Sequence, residues 1–279
     1  MKVSLIVATV GRTAELHRLF TSLEAQTYKN FELIVIDQNQ DDRLNQVIAP
    51  FQDRMTIIHR TSPLGVSRAR NEGLKRMTGD LVGFPDDDCW YPPDLLQHVI
   101  RLLEQHHCDG VTGRVIVHGE ANVYAKFDDA AGPVSVTNVW RRTCAVTMFL
   151  KRRVADTIGG FDETMGPGAG TLWVGGEDID YPVRAVKAGF NILYRPEIHV
   201  FHPNPFDQGW ETMANRAYLY GAGIGRVWKK HGFPRWVVAY YLLRPLGGAF
   251  VGLLTGEWPK TKYHWNALCG RFKGWRSTL

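Results

Sequence analysis

Three consecutive carboxylates follow an apolar segment in Phe84-Pro85-Asp86-Asp87-Asp88. Neighbouring carboxylates repel one another unless a cation or hydrogen-bond donors offset their charge. Hard divalent ions such as Mg²⁺ and Mn²⁺ bind carboxylate oxygens together with substrate phosphate oxygens, so a nucleotide diphosphate would complement such a site. A solvated acidic turn explains the triplet equally well when the triplet is considered alone.

A second acidic cluster, Gly175-Gly176-Glu177-Asp178-Ile179-Asp180, begins a predicted helix that continues to Ala188. An aspartate at a helix start is often only a cap. The functional alternative is a carboxylate that takes the proton from an attacking hydroxyl, with glycines that let a substrate approach the backbone. Alone, this cluster slightly favours the cap, whereas two acidic clusters in one chain favour catalysis.

The segments that must position these residues alternate between two patterns. Apolar runs predict buried strands at residues 3–9, 31–36, 55–59 and 81–84, and helical spacing predicts helices at 15–26, 66–77 and 94–105. Less regular strands follow near 111–117 and 144–150. This order predicts an α/β fold with a mainly parallel sheet covered by helices on both faces. Ligands bind beyond the carboxyl ends of such strands, where Thr9, Asp37 and Asp86 fall.

Composition is that of an ordinary globular protein: 44% of the 279 residues are hydrophobic and 22% are charged. The four cysteines show neither zinc-site nor disulfide spacing, which favours a reducing compartment. The first residues enter a strand pattern directly, so we expect no secretion signal.

Several motifs in this chain resemble those of the family 2 glycosyltransferases with the GT-A fold, and they occur in family order across residues 2–202. The matching stretches are Val7-Ala8-Thr9 with Arg12, Glu32 to Asp37, Gly65 to Gly73, Thr78-Gly79-Asp80, Phe84 to Asp88, Gly159 to Glu163, and Gly176-Glu177-Asp178 through Arg184. The resemblance implies a Rossmann-like GT-A domain and a nucleotide-sugar donor.

The resemblance also implies roles for individual residues. Donor binding would fall to Thr9, Arg12, Asp37, Arg70, Asp86, Asp87 and Asp88. Asp37 would accept from a pyrimidine N–H, and Arg70 would approach the base or the diphosphate. At the Mn²⁺ or Mg²⁺ site, Asp88 would contact the metal directly, and Asp86 would face the ribose or a metal-bound water. His202 would be added as in some members, although a structural role for this histidine is equally plausible. Asp178 resembles the catalytic base, and Glu177 would position the acceptor or the donor.

One stretch departs from the family pattern. The family commonly continues its second strand with Asp-Gly-Ser, whereas this chain has Asp37-Gln38-Asn39-Gln40. The surroundings of the nucleoside are therefore altered, and uridine and thymidine donors both remain open. The expected mechanism is a single in-line displacement, which inverts the anomeric configuration.

The C-terminal segment differs in charge from the rest of the chain. From Arg226 onward there are ten Lys or Arg against one acid, Glu257, and aromatic residues are interleaved with them. This pattern is typical of the headgroup level of a membrane. The apolar runs 236–243 and 246–254 are interrupted by Arg244-Pro245, and neither reaches the ~20 residues of a spanning helix. We expect an in-plane or re-entrant helix pair, with core packing as the main alternative and nucleic-acid binding disfavoured.

The resulting hypothesis is an inverting, metal-dependent glycosyltransferase of cell-surface polysaccharide synthesis. It would be peripheral or monotopic at the cytoplasmic face of an anionic membrane and would use a UDP or dTDP sugar and a polyprenyl-diphosphate-linked saccharide acceptor. The predicted organisation is a catalytic domain at 1–205, with donor and acceptor halves at 1–105 and 106–205, and a helical membrane-associating region at 206–279. The alternatives are a nucleotidyltransferase, for which no early glycine-rich phosphate loop is found, and a catalytically silent sugar-nucleotide scaffold.

Overall fold

A computed structural model describes residues 1–117, 120–121 and 125–278 of the chain. Its strands are β1 (Val3–Thr9), β2 (Phe31–Asp37), β3 (Thr56–Thr61), β4 (Leu81–Gly83), β5 (Gly110–Val117), β6 (Glu120–Ala121), β7 (Gly132–Pro133), β8 (Phe149–Lys151) and β9 (Ile192–Phe201). Its α-helices are α1 (Ala14–Glu24), α2 (Asn45–Ile48), α3 (Val66–Leu74), α4 (Leu95–His106), α5 (Val139–Arg142), α6 (Arg152–Ile158), α7 (Glu177–Lys187), α8 (Trp210–His231), α9 (Arg235–Leu254) and α10 (Trp258–Trp275).

The strands form one mixed sheet in the order β3-β2-β1-β4-β8-β5-β9-β7, with β6 paired to β5. The first four strands pair in parallel, and β8 is antiparallel to both of its neighbours. The register of β1 and β2 places Thr9 opposite Asp37. The predicted α/β fold with a mainly parallel sheet is confirmed.

Burial explains why the strands of the N-terminal half could be predicted from the sequence. Every residue of β2 is buried, and so is all of β1 except Ala8, because helices cover the sheet. Helix α3 lies so close to β1 that a Cβ on Gly73 would be 2.2 Å from Cγ2 of Ile6. Only glycine allows this approach.

The predicted strand at 144–150 is only partly correct. Residues Ala145–Thr147 form a 3₁₀ turn, and the strand is confined to Phe149–Lys151. The Thr147 hydroxyl lies 3.1 Å from the Cys144 carbonyl oxygen and 3.2 Å from that of Gly113. A side-chain hydroxyl that bonds to the local backbone in this way stabilises a turn in competition with the strand.

Contacts divide the chain into two compact units. The first comprises Met1–Phe161 and Tyr181–Asn204 and contains the whole sheet. The second comprises Asp162–Asp180 and Pro205–Leu279. The stretch that leads into Glu177 and Asp178 therefore packs with the C-terminal helices, although the sequence places it before the predicted boundary at 205.

In the second unit, α8 and α10 approach each other at backbone distance. A Cβ on Gly270 would lie 2.1 Å from the Tyr218 carbonyl oxygen, and one on Gly225 would lie 2.1 Å from the Arg271 carbonyl oxygen. Glycine at these positions removes the side chains that would hold the two helices apart.

The prediction that Arg244-Pro245 interrupts the C-terminal apolar segment is wrong. Helix α9 runs without a break over 20 residues with Pro245 inside it. A proline lacks the N–H that would bond to the carbonyl four residues earlier, which here is Tyr241. The Arg271 guanidinium of α10 donates to that carbonyl at 2.5 Å and replaces the missing bond. By length and composition alone α9 could cross a membrane, which is weak evidence that it does so.

Candidate functional site

Three of the predicted metal ligands lie together in the first unit. Asp86 and Asp88 follow β4, and His202 follows β9 directly. One ligand atom from each of the three residues lies within 4.8 Å of the others. Asp88 is buried and Asp86 is half-buried, so the cluster combines a shielded carboxylate with one that a ligand can reach.

A short backbone bridge brings His202 to Asp88. Trp90 and Phe201 exchange two hydrogen bonds, each with an N···O distance of 3.0 Å, and their rings stack with centroids 5.7 Å apart. The loop after β4 is thereby fixed to the end of β9. Residues more than one hundred positions apart in sequence become neighbours in the site.

The geometry of His202 fits a cation site. Its Nδ1 lies 2.7 Å from the Pro203 carbonyl oxygen, which can only accept, so Nδ1 carries a proton. Its Nε2 lies 3.1 Å from Oδ1 of Asp88. In a neutral imidazole both of these facing atoms would be acceptors, so a second proton or a cation must lie between them. Opposite ligands of an octahedral ion are about 4.2 Å apart, so the three ligand atoms fit one ion after a small shift.

The Asp88–His202 pair also sets the protonation of both groups. Burial favours the neutral forms, but the hydrogen bond and opposite charge of His202, together with Arg12, hold the pKa of Asp88 below its ordinary value. Burial likewise acts to lower the pKa of His202, and the hydrogen bond to Asp88 outweighs it and raises that pKa. Asp88 is therefore ionised, as a metal ligand must be.

Arg12 links Asp87, the middle residue of the triplet, to Asp88. Its Nη1 contacts a carboxylate oxygen of Asp87 and lies 2.7 Å from Oδ2 of Asp88. Asp87 is buried, and this burial raises the pKa of its carboxyl despite the opposing charge of Arg12. Asp87 thus joins the site as the partner of an arginine, whereas Asp86 and Asp88 face His202.

Arg70 connects Asp86 to an aromatic cluster. Its Nη2 lies 3.1 Å from Oδ1 of Asp86, and its guanidinium carbon is 5.3 Å from the centroid of the Phe161 ring. Phe161 stacks on Tyr181 at 3.9 Å, and its backbone N–H donates to the Asn71 side chain at 2.6 Å. Burial raises the pKa of Tyr181 well above its ordinary value, so its hydroxyl stays protonated. The contact with the Phe161 ring and the ion pair with Asp86 together hold the Arg70 guanidinium beside the triplet.

The other predicted donor-binding residues line the ends of β1 and β2. Asp37 is buried, and its Oδ1 accepts at 2.8 Å from both the backbone and the side chain of Asn39. Its Oδ2 lies 3.1 Å from Nε2 of His59 on β3. Asn39 in turn accepts from the Gly11 N–H at 2.7 Å. The departure from the family pattern at this strand therefore supplies an amide that ties the loops after β1 and β2 together.

The second acidic cluster lies in the second unit. Glu177 is buried and Asp178 is half-buried at the first turn of α7, and the backbone N–H of Asp180 donates to the Gly176 carbonyl at 2.8 Å. The catalytic roles of Glu177 and Asp178, and the donor-binding and metal-binding roles given above, stay predictions.

Four residues of this region make contacts that the sequence did not predict. His59 and Asn39 hold Asp37, and Trp90 holds Phe201. Arg18 donates to the Asp88 carbonyl at 2.7 Å while its guanidinium lies 4.1 Å from the centroid of the Trp90 ring. Asn39 lies in the stretch that departs from the family pattern, which was a signal. Weaker signals existed for Trp90, two residues after the triplet, and for Arg18, a basic residue on the helix after Arg12.

Comparisons with known proteins agree with this architecture. The family model for Glycosyl transferase family 2 matches residues 4–158. Glycosyltransferase AglE from Haloferax volcanii is 22% identical over 236 residues, covering 81% of this chain and 74% of its own. A GalNAc(5)-diNAcBac-PP-undecaprenol beta-1,3-glucosyltransferase from Campylobacter jejuni is 30% identical over 133 residues, covering 45% of this chain and 42% of its own.

Solved structures share the fold at low sequence identity. The mannosyltransferase PcManGT from Pyrobaculum calidifontis, in complex with GDP-Man and Mn²⁺, has a TM-score of 0.65 at 14% identity and covers 99% of this chain and 87% of its own. TarS 1-349 from S. aureus, in complex with UDP-GlcNAc, has a TM-score of 0.63 at 16% identity, covering 98% and 91%.

The family match spans more than half of the chain and covers most of β1, strands β2 to β4, the acidic triplet, Arg12 and Arg70, whereas His202 lies beyond it. The chain therefore belongs to glycosyl transferase family 2, and it is a glycosyltransferase with the GT-A fold.

Proposed function

We propose that the protein transfers a sugar, with inversion, from a UDP or dTDP sugar to a lipid-linked saccharide during the synthesis of a cell-surface polysaccharide. The observation that carries the proposal is the convergence of Asp86, Asp88 and His202 within 4.8 Å at the ends of β4 and β9. Two carboxylates and an imidazole form a mixed oxygen and nitrogen ligand set. Such a set favours Mn²⁺ over Mg²⁺, which prefers oxygen ligands.

A divalent ion held by these residues would neutralise the negative charge of the donor diphosphate. Arg70 reaches Asp86 and is a second positive group for the phosphates or the base. Arg12 is committed to Asp87 and Asp88, so in this proposal it keeps the triplet charged and in place. Asp37, opposite Thr9 in the sheet, binds the nucleoside.

Asp178 takes the proton of the acceptor hydroxyl as that oxygen attacks the anomeric carbon. The nucleoside diphosphate leaves from the opposite face, which inverts the anomeric configuration. Glu177 positions the acceptor or the donor. The order of the motifs along the chain supports these assignments.

A lipid-linked acceptor is supported by two observations. The Campylobacter jejuni relative is named for an undecaprenol-linked substrate. In addition, α9 exposes a stripe of large apolar side chains at helical spacing, namely Trp236, Tyr240, Leu243, Phe250 and Leu254. Exposed cations, among them Arg235, Arg244 and Lys273, accompany this stripe. Both observations support the proposal that the enzyme works at the anionic cytoplasmic face of the cell membrane.

Thermal unfolding in the presence of nucleotide sugars tests the donor. UDP-glucose, UDP-GlcNAc, dTDP-glucose and GDP-mannose would each be added with and without Mn²⁺. Binding to the folded state raises the apparent Tm, and we expect the rise for a UDP or dTDP sugar and only with the metal. A metal-independent rise, or one confined to GDP-mannose, would contradict the proposed donor site.

The stabilising donor is then incubated with the enzyme, and the released nucleotide is identified. Nucleoside diphosphate supports glycosyl transfer to an acceptor or to water. A nucleotidyltransferase would instead form nucleoside triphosphate and sugar 1-phosphate when pyrophosphate is added to the donor. Asp88→Ala and Asp178→Asn should each lower the release at least about a hundredfold in a folded protein. Asp53→Asn, at an exposed carboxylate in the segment before β3, is the matched control and should retain full activity.

A further inference from the structure

Helix α8 lies directly against the segment that precedes Glu177. A Cβ on Gly223 would be 1.8 Å from the Gly175 carbonyl oxygen, so the two backbones touch. Beside it, a Cβ on Gly176 would be 3.0 Å from the Gly223 carbonyl oxygen, and Gly176 has a φ of +92°. A side chain at any of these three glycines would push the segment away from α8.

Charged groups hold the other side of the same turn. Lys230, in the last turn of α8, has its Nζ 2.8 Å from Oδ1 of Asp180 and 2.7 Å from Oδ2 of Asp162. Nε2 of His231 lies 2.8 Å from the same Asp180 oxygen. The Asp180 side chain is only 1% exposed, so these two contacts help to compensate its buried charge.

The two contacts bracket Asp178. Gly175 and Gly176 precede it by three and two residues, and Asp180 follows it by two. Glu177 and Ile179 on either side of it are buried, whereas Asp178 itself is half-buried. All of these residues belong to the second compact unit. A helix that had only a membrane-binding role would not need to fix this turn at two points.

We infer that α8 is a positioning element of the active site, and that Gly223 and the Lys230–His231 pair hold the turn that carries the proton acceptor. The inference rests on the proposed function, in which Asp178 is that acceptor. A displacement of about 1 Å in a reacting group can cost about a hundredfold in rate. In this inference the C-terminal region contributes to the catalytic rate as well as to membrane binding.

The backbone contact is tested with Gly223→Ala, which places a methyl group against Gly175. The matched control is Gly247→Ala in α9, where a Cβ would have nothing within 4 Å. The rate measured is UDP release from UDP-GlcNAc with Mn²⁺, or from whichever nucleotide sugar the wild type hydrolyses. We expect kcat to fall about 10-fold to 100-fold in Gly223→Ala and to be unchanged in Gly247→Ala.

The ionic contact is tested independently, in case Gly223→Ala does not fold. Lys230→Met removes the ammonium group from Asp180 and Asp162, and Lys229→Met removes a neighbour with the same charge. We expect at least about a 10-fold loss of kcat in Lys230→Met alone. Lys230→Arg should restore at least about a third of the wild-type rate because it keeps the charge.

If α8 only supported the fold, its variants would lose turnover and UDP binding in parallel. The affinity for UDP in the presence of Mn²⁺ is therefore measured for each variant by calorimetry. A drop in kcat with the UDP Kd within about twofold of wild type supports the positioning role. Wild-type kcat in folded Lys230→Met, or a parallel loss of UDP binding, overturns it. Full activity in Asp178→Asn would instead overturn the proposed base, whatever the α8 variants do.

Discussion

The Arg271 guanidinium donates at 2.5 Å to the Tyr241 carbonyl oxygen, the group that Pro245 leaves without its helical donor. Arg271 lies on α10 and Tyr241 on α9, so the bond repairs one helix while joining it to the next. Burial lowers the pKa of Arg271 to about 10, and the side chain remains charged near neutral pH.

A double-mutant cycle tests this repair. Arg271→Met should lower the free energy of unfolding by about 2 kcal/mol, because a hydrogen bond from a charged donor to a partly buried carbonyl is lost. In a Pro245→Ala background the backbone N–H regained at position 245 can bond to Tyr241, so the same substitution should cost about 1 kcal/mol less. Urea unfolding of the four proteins measures both values. Equal costs in the two backgrounds would mean that Arg271 acts through packing alone.

His202→Ala should weaken Mn²⁺ binding. Removing an outer-shell partner of a metal site already costs about 10-fold to 100-fold in affinity, and loss of a ligand should cost at least about tenfold. The loss should be smaller for Mg²⁺, which relies on oxygen ligands. Calorimetry with each ion in the presence of UDP makes the comparison. The control His199→Ala changes a histidine of β9 that is outside the metal cluster, and its Mn²⁺ affinity should match that of the wild type.

Glu32 should make stability depend on pH in the acid range. Its carboxylate accepts from Ser4 and Lys2 at 2.6 Å and from the Thr78 backbone and hydroxyl at 2.7 Å. Burial opposes ionisation, but these bonds lower the pKa of Glu32 to about 2. Because the folded pKa is lowered, the stabilisation is complete above about pH 4.5 and is lost as the pH falls towards 2.

Glu32→Gln should therefore cost about 2 to 3 kcal/mol of unfolding free energy at pH 7 and progressively less below about pH 4. Urea unfolding between pH 7 and pH 3 measures the difference. The control Glu72→Gln removes a helix-surface carboxylate paired with Lys75 and Arg76 and should cost under about 1 kcal/mol. A penalty for Glu32→Gln that is the same at pH 3 and pH 7 would contradict the charge-based explanation.

The exposed stripe of α9 should carry membrane binding. Leu243 and Phe250 are 63% and 61% exposed, so Leu243→Ser with Phe250→Ser removes apolar surface without opening the core. We expect at least about a tenfold loss of sedimentation with vesicles that contain phosphatidylglycerol, and weaker binding of the wild type to neutral vesicles. Leu64→Ser, at a leucine that is 53% exposed in a loop of the first unit, is the control. Undiminished sedimentation of the double variant would reject α9 as the membrane contact.

Sequence alone determined the first half of the sheet and the identity of the acidic residues. Strands β1 and β2 are buried on both faces, so their apolar runs are continuous and easy to read. The motifs and their order along the chain are also visible in the sequence, and they indicated the family before any contact was known. Because a strand end fixes the position of the next residue, Thr9, Asp37 and Asp86 could be placed at one edge of the sheet.

Only the tertiary structure decided what these residues touch. His202 meets Asp88 because Trp90 and Phe201 bridge two distant segments, and no local pattern encodes that pairing. Helix α9 continues through Pro245 because a side chain from another helix supplies the missing donor. The turn that carries Asp178 packs with α8 through glycines whose role is visible only when the opposing backbone is present. Local sequence fixes local conformation, whereas contacts between remote segments depend on the packing of the whole unit.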